Sequence, residues 1–140
     1  MSKGDLFQAF RVIRVSVHHI RFLGFTWNGL VYVDLMLPMG AAVSCAQFEI
    51  LSRAIQWILI NVFKVPYMSH ILDDFLFFGH PDTNECLMGI RSFLHFTESV
   101  GLPVKQEKTV WPSTRVEMHG IMFDSITMTL SLPQDKVQKA

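Results

Sequence analysis

Apolar residues along this chain recur with two periods, and the change from one to the other marks its elements. The segment Asp5-Leu6-Phe7-Gln8-Ala9-Phe10-Arg11-Val12-Ile13 opens the chain as an apolar run behind an acid, and reads as a first strand. Two β-prone runs follow, Phe22–Trp27 and Leu30–Met36, joined by Asn28-Gly29. Asn-Gly between such runs predicts a two-residue hairpin, because both residues tolerate the positive φ of a type I′ turn. Leu37-Pro38-Met39-Gly40 ends that pair. Phe48, Leu51, Ile55, Ile58, Leu59 and Val62 then recur at helical spacing, predicting a helix over 42–62 with Ser44 as N-cap and an end before Pro66.

The run Ser69-His70-Ile71-Leu72-Asp73-Asp74-Phe75-Leu76-Phe77-Phe78-Gly79 predicts two short buried strands with the acid pair at the tight turn between them. A second helix is expected from Asp82 or Thr83, with Glu85 favourable to its N-terminal dipole. Leu87, Ile90, Phe93, Leu94 and Thr97 form its inner face, and Gly101 supplies the stop. Residues 101–108 read as a loop or extended piece. A last strand pair, 116–123 and 127–132, turns at Asp124-Ser125, and Pro133-Gln134-Asp135-Lys136 resembles the first turn of another helix. Strands and helices in this order predict an α+β fold, one antiparallel sheet with two helices packed on one face.

Composition narrows the class. The 140 residues suit a single domain, 1–140, and half of them are hydrophobic, which excludes disorder. Lys+Arg and Asp+Glu both number 12, so bulk charge gives no support to nucleic-acid binding. The longest apolar run, Ala54–Phe63, is interrupted by Gln56 and Asn61 and is too short to span a bilayer, and no signal peptide is visible at the N-terminus; no membrane partner is expected. Cys45 and Cys86 lie far apart at no metal-ligand spacing and read as buried free thiols of a reducing, intracellular compartment, cytoplasmic or nuclear.

The chain has no Ser-His-Asp spacing, no His-Glu-x-x-His and no glycine-rich phosphate loop, so its candidate chemistry rests on carboxylates. Asp5, Asp73 and Asp74 stand beside apolar strands with no adjacent Lys or Arg in the 69–79 run. Such acids repel one another and are costly to desolvate, a cost that a hard divalent cation removes. Asp is also an ordinary turn residue, and that reading of Asp73-Asp74 stays open. Pairing of the Asp5 strand beside the 67–79 hairpin would bring the three carboxylates to one sheet edge, an arrangement suited to two divalent ions. Asp34 alternates with Val31, Val33 and Leu35 and is expected on the solvated face.

Taken in order, Asp5-Leu6-x-x-Ala9-Phe10, Leu37-Pro38-Met39-Gly40, Leu72-Asp73-Asp74-Phe75, Gly101-x-x-Val104-x-x-x-Lys108-Thr109 and His119-Gly120-Ile121 resemble the palm motifs of reverse transcriptases. The closest likeness is to retrotransposon enzymes, in particular those of tyrosine-recombinase retroelements. The resemblance covers the whole chain and implies a palm domain performing two-metal nucleotidyl transfer with Mg²⁺ or Mn²⁺. Its partners would be an RNA/DNA template-primer and a dNTP. Asp5 and Asp73 would be the main metal ligands, Asp74 the neighbouring acid, and the Leu6 carbonyl a contact of the nucleotide-bound ion. Phe10 would pack under the incoming sugar and exclude a 2′-hydroxyl; core packing is its other reading. Met39 and Gly40 would form the turn that the nucleotide approaches, and Gly120 would lie in the primer-holding hairpin. Lys108 would protonate the departing pyrophosphate; a solvated loop lysine is its other reading.

The chain departs from the family pattern at Ile71, where Tyr is usual, at Met39, where retroviral enzymes have Gln, and at His119, where Leu is usual. Four residues precede Asp5, hardly a full first strand, and the fingers and thumb of the family are not found in the chain. Two readings follow: a truncated or decayed polymerase copy with little activity alone, its fingers and thumb supplied separately, or a non-catalytic α+β nucleic-acid-binding or protein-interaction module derived from a palm.

Overall fold

The strand at the centre of the structure is Asp74–Phe77, buried at every position, flanked antiparallel by Ser2–Asp5 on one side and Met68–Ile71 on the other. A computed structural model describes residues 1–133, so the expected helical turn at 134–136 lies outside the described residues. In chain order the strands are β1 Ser2–Asp5, β2 Gly24–Trp27, β3 Leu30–Val33, β4 Met68–Ile71, β5 Asp74–Phe77, β6 Arg115–Met118, β7 Ile121–Asp124 and β8 Thr129–Ser131. The helices are α1 Ala42–Asn61 and α2 Glu85–Ser99, with 3-10 turns at Ala9–Val12, Ile20–Leu23 and Gln106–Lys108. The α+β class holds. The strands nevertheless divide into three antiparallel sheets, β1-β5-β4, β2-β3 and β6-β7-β8, where the sequence suggested one.

Cross-strand partners share a face of a sheet, so the β1–β5 register sorts the side chains. Ser2↔Phe77 and Gly4↔Phe75 define the helix side; Lys3↔Leu76 and Asp5↔Asp74 define the opposite side. On the helix side Phe75 and Phe77 stack on Phe93 of α2, with ring centroids 4.9 and 5.7 Å away. Phe48, Ile55 and Leu59 of α1 complete that core. On the other side Leu76 meets Val116 and Met118 of β6. Gly4 is required by this packing, because a Cβ on it would lie 2.4 Å from the Phe93 ring.

β1 begins and ends earlier than the apolar run suggested. Ser2-Lys3-Gly4-Asp5 carries no strand-like pattern, yet it pairs with β5 along its full length. Three of the residues before the first acid, with Asp5 itself, do supply a strand. The apolar Ala9–Val12 instead curls into a 3-10 turn that packs on α1. The Asn28-Gly29 hairpin forms as expected, with φ 48° and 75°, but stands as a separate, exposed two-stranded sheet.

α1 has Ala41 as its N-cap; Ser44 lies inside the helix and donates its hydroxyl to the Pro38 carbonyl at 2.7 Å. Of its expected inner residues, Leu51 and Ile58 are only half-buried and Val62 is exposed, while Ser44 and Ser52 are buried. The α2 stop is a Schellman pattern, with Gly101 N–H donating to Glu98 and Leu102 N–H to Thr97. The expected strand 116–123 is two strands, split at His119-Gly120, whose φ values of 51° and 74° make a second two-residue turn. Asp124 caps the next turn, where the Thr127 N–H, the Arg115 guanidinium and the Ile126 N–H pull its carboxyl down to about 2. β4 is half-buried where a buried strand was expected, because its alternate residues face solvent. Cys86 is buried, but Cys45 is exposed, contrary to expectation. Among the described residues no helix is long and apolar enough to cross a membrane.

Gly4→Ala is expected to destabilise the fold by roughly 1–3 kcal/mol, the range for overpacking a filled core. Phe48→Ala should lower stability by about 3–5 kcal/mol, and Leu51→Ala by less, since its side chain is only half-buried. Urea unfolding of the three variants checks the order; a Leu51 effect exceeding that of Phe48 would contradict the packing described.

Candidate functional site

The three acids reach one end of the central sheet through backbone pairing. Asp5 ends β1 and Asp74 begins β5, and the two are register partners. Asp73 precedes Asp74 in the two-residue turn, where Leu72 adopts φ 52°, an uncommon region for a branched side chain. The Asp73 carbonyl accepts the Leu6 N–H at 3.0 Å, tying the turn to the residue after Asp5.

The segment after α2 runs back along the free edge of β1. Leu6 bridges Val104, Lys3 and Val110 exchange two backbone hydrogen bonds of 2.9 Å, and Lys105 N–H donates to the Asp5 carbonyl at 2.8 Å. This pairing delivers Lys108 from over a hundred residues away: its Nζ lies 3.1 Å from Asp5 Oδ2. Lys108 is thus an ion-pair partner rather than a purely solvated lysine. Its ammonium is shifted upward, chiefly by the hydrogen bond and charge of Asp5.

Asp74 is held differently. Lys3 Nζ is 3.1 Å from Oδ1 and His119 Nε2 is 3.5 Å from Oδ2. The Lys3 contact is one of charge, since Oδ1 is buried and receives no hydrogen bond. Among the described residues no lysine is paired with Asp73. Burial raises its carboxyl above the ordinary value of 3.8, the charges of Asp5 and Asp74 add to the rise, and its own backbone N–H and Lys108 oppose it. Burial, more than crowding, sets the shift.

Lys3, Asp74, Lys108, Glu117, His119 and Gly120 line a cavity of about 300 Å³ at this corner. Lys3 and the role of His119 were not expected from sequence; the signal was available in the i, i+2 spacing of Lys3 and Asp5, which places both on one face of a strand. Leu6 is buried. Phe10 packs edge-on against Phe48 at 5.3 Å, so core packing accounts for its position. Met39 is 79 % exposed. Gly40 follows it at φ 86° with open space where a Cβ would point. Asp34 stays outside the cluster in a bidentate pair with Arg11, at 2.7 and 2.6 Å, and that hydrogen bond lowers its carboxyl.

Carboxylate oxygens are the donors hard divalent cations prefer, although Asp74 Oδ1 here faces the Lys3 ammonium at 3.1 Å. The donor chemistry therefore fits an ion such as Mg²⁺. In the arrangement described, lysines take up the negative charge, and among the described residues no three His, Cys, Asp or Glu side chains converge to hold an ion.

No protein-family model matches the chain, and no curated protein sequence matches it. Solved structures do. The foamy viral protease-reverse transcriptase in complex with dsDNA is 22 % identical, with a TM-score of 0.76 over 99 % of this chain and 28 % of that one. The same protein in complex with an RNA/DNA hybrid is 22 % identical, with a TM-score of 0.78 over 98 % of this chain and 18 % of that one. The native Prototype Foamy Virus protease-reverse transcriptase is 20 % identical, with a TM-score of 0.72 over 94 % of this chain and 16 % of that one. The chain has a reverse transcriptase-like fold and spans less than a third of the length of these structures.

A carboxyl raised in the folded state opposes folding wherever it is ionised, and that opposition fades as pH falls and the folded chain takes up the proton. Asp73→Asn should therefore melt higher than the parent at pH 7 in chelator, with the gap closing as pH falls toward 3.8. A variant that melts lower at pH 7 would show that the Asp73 carboxylate stabilises the turn.

Proposed function

We propose that the chain is the palm of an RNA-directed DNA polymerase of retrotransposon type, transferring a deoxynucleotide onto a primer end held on a template. The observation that carries this reading is the Asp5↔Asp74 register with Asp73 in the adjoining turn, within a reverse transcriptase-like fold. The five motifs in order support the retroelement assignment. The foamy viral complexes with dsDNA and with an RNA/DNA hybrid support template-primer as the partner.

Asp5 and Asp73, with Asp74 beside them, would hold the Mg²⁺ or Mn²⁺ ions, and when bound these supply activation of the primer hydroxyl and charge neutralisation at the phosphates. The remaining work belongs to the chain's own groups. Lys108, kept protonated by Asp5, is placed to give a proton to the departing pyrophosphate. The Leu6 carbonyl would touch the nucleotide-bound ion, its residue tied to the turn by the N–H bond to Asp73. Phe10, packed on Phe48, would in addition close off the space of a 2′-hydroxyl. The open surface at Met39-Gly40 would leave room for the base pair, and the His119-Gly120 turn, which lines the corner cavity, would serve as the primer-holding element.

One observation favours a second reading, a non-catalytic binding module: Asp5 and Asp74 each already carry a lysine partner. Primer extension separates the two. The chain alone should extend a primed RNA template little, because catalysis needs positioning as well as charge neutralisation. Extension should appear with Mg²⁺ or Mn²⁺ once polymerase fingers and thumb segments are added in trans, and should fall by about a hundredfold or more in Asp73→Ala. Extension that survives Asp73→Ala, or none under any of these conditions, would overturn the polymerase reading.

A further inference from the structure

α1 buries one face, Ser44, Phe48, Ser52, Ile55 and Leu59, against the core. Its outer face is apolar as well. Val43, Ile50 and Trp57 stand seven residues apart, which stacks them in one stripe along the helix. They are 63, 63 and 61 % exposed, a continuous apolar surface rather than scattered single residues. Ala46 and Ala54 lie one turn to either side of Ile50, and both are exposed and small enough to let a second backbone come close. The stripe carries little charge. Glu49 and Arg53 are the charged residues of α1, and Glu49 is turned toward His70 of β4, 3.1 Å away.

We propose that this stripe is a dimer interface, on which α1 of a second copy lies antiparallel about a two-fold axis beside Ile50. Such an axis sets each residue opposite the one equally far along in the other direction, and the stripe is complementary to itself under that operation. Ile50 meets Ile50, Ala46 meets Ala54, and the Gln47 carbonyl oxygen accepts from Arg53 with no like charges brought together. The large Trp57 comes opposite the smaller Val43. Val43 and Gln47 also line a cavity of about 580 Å³ walled by Phe22, Leu37 and Pro38. The indole of each copy thus has an apolar pocket to enter on the other. A parallel pairing would instead set Arg53 against Arg53 and Trp57 against Trp57. Val43, Ile50 and Trp57 with their small and polar neighbours offer on the order of 500 Å² per copy, near the lower bound of specific interfaces. The three acids belong to the opposite side of the central sheet, so the dimer stands or falls independently of the polymerase reading.

Sedimentation velocity of the full chain over a range of concentrations, combined with disulfide trapping, tests this. The chain should pass from monomer to dimer with a dissociation constant of roughly 10–100 μM, as suits an interface of this size. Trp57→Glu should weaken association by about tenfold or more. Its thermal melt in dilute solution should match that of the parent, since the side chain is exposed. With the exposed Cys45 replaced by Ser, Ala46→Cys mixed with Ala54→Cys should form a linked pair under mild oxidation. Neither should link to itself, because an antiparallel axis at Ile50 keeps like positions at least about 12 Å apart, beyond the reach of a disulfide. Met88→Cys, exposed on α2, serves as the control and should not link. A chain that stays monomeric well above the expected constant would overturn the proposal. So would a dimer indifferent to Trp57→Glu, or Ala46→Cys linking to itself as fast as to Ala54→Cys.

Discussion

The pairing of β1 with β5 is the constraint on which the rest depends. Its register places Asp5 opposite Asp74, Lys3 diagonal to Asp74, and Gly4 under the Phe93 ring. A slip of β1 by one residue would send Asp5 to the helix side, away from Asp74, and turn Ser2 and Gly4 toward the cavity. Gly4 and Phe93 thus act on the site without touching it: the close approach of α2 to β1 specifies the register, and the register specifies the acids. The outer edge of β1 is then used by residues 104–110, whose backbone bonds to Lys3 and Asp5 bring Lys108 into range. Sheet pairing and charge pairing are here the same event.

Three carboxylates in one partly dry corner would be strongly unfavourable without compensation. The fold answers with lysines: a buried one for Asp74, an exposed one for Asp5, and for Asp73 the charge of Lys108.

Local signals were read well where they act locally. Asn28-Gly29 made its turn and both helices formed close to their apolar repeats, but the turn expected at Asp73-Asp74 is Leu72-Asp73, because Asp74 pairs with Asp5 and Ile71 as the first residue of β5. The failures came where tertiary pairing overrides local preference. Ser2-Lys3-Gly4-Asp5 lacks branched and aromatic residues and is a strand because β5 pairs with it. The apolar 9–12 stretch is a 3-10 turn because it must cover α1 rather than extend the sheet. At the site, the three acids were visible as acids, but their counter-cations were not. Lys3 stood in the opening residues as an ordinary charge, and Lys108 needed the non-local pairing of 104–110 before its reach to Asp5 could be seen. The His119-Gly120 turn was hidden inside an apolar run, although its Gly was a cue of the same kind as Gly29.

The central claim of the proposed function is that the β1–β5 register gathers Asp5, Asp73 and Asp74 where they would hold a divalent cation. Anomalous diffraction at the manganese edge, from crystals of the chain grown with Mn²⁺, tests it most directly. The expected map has a peak within coordinating distance of the Asp5 and Asp73 carboxylates, with Asp74 beside it. A map with no peak at this corner would contradict it.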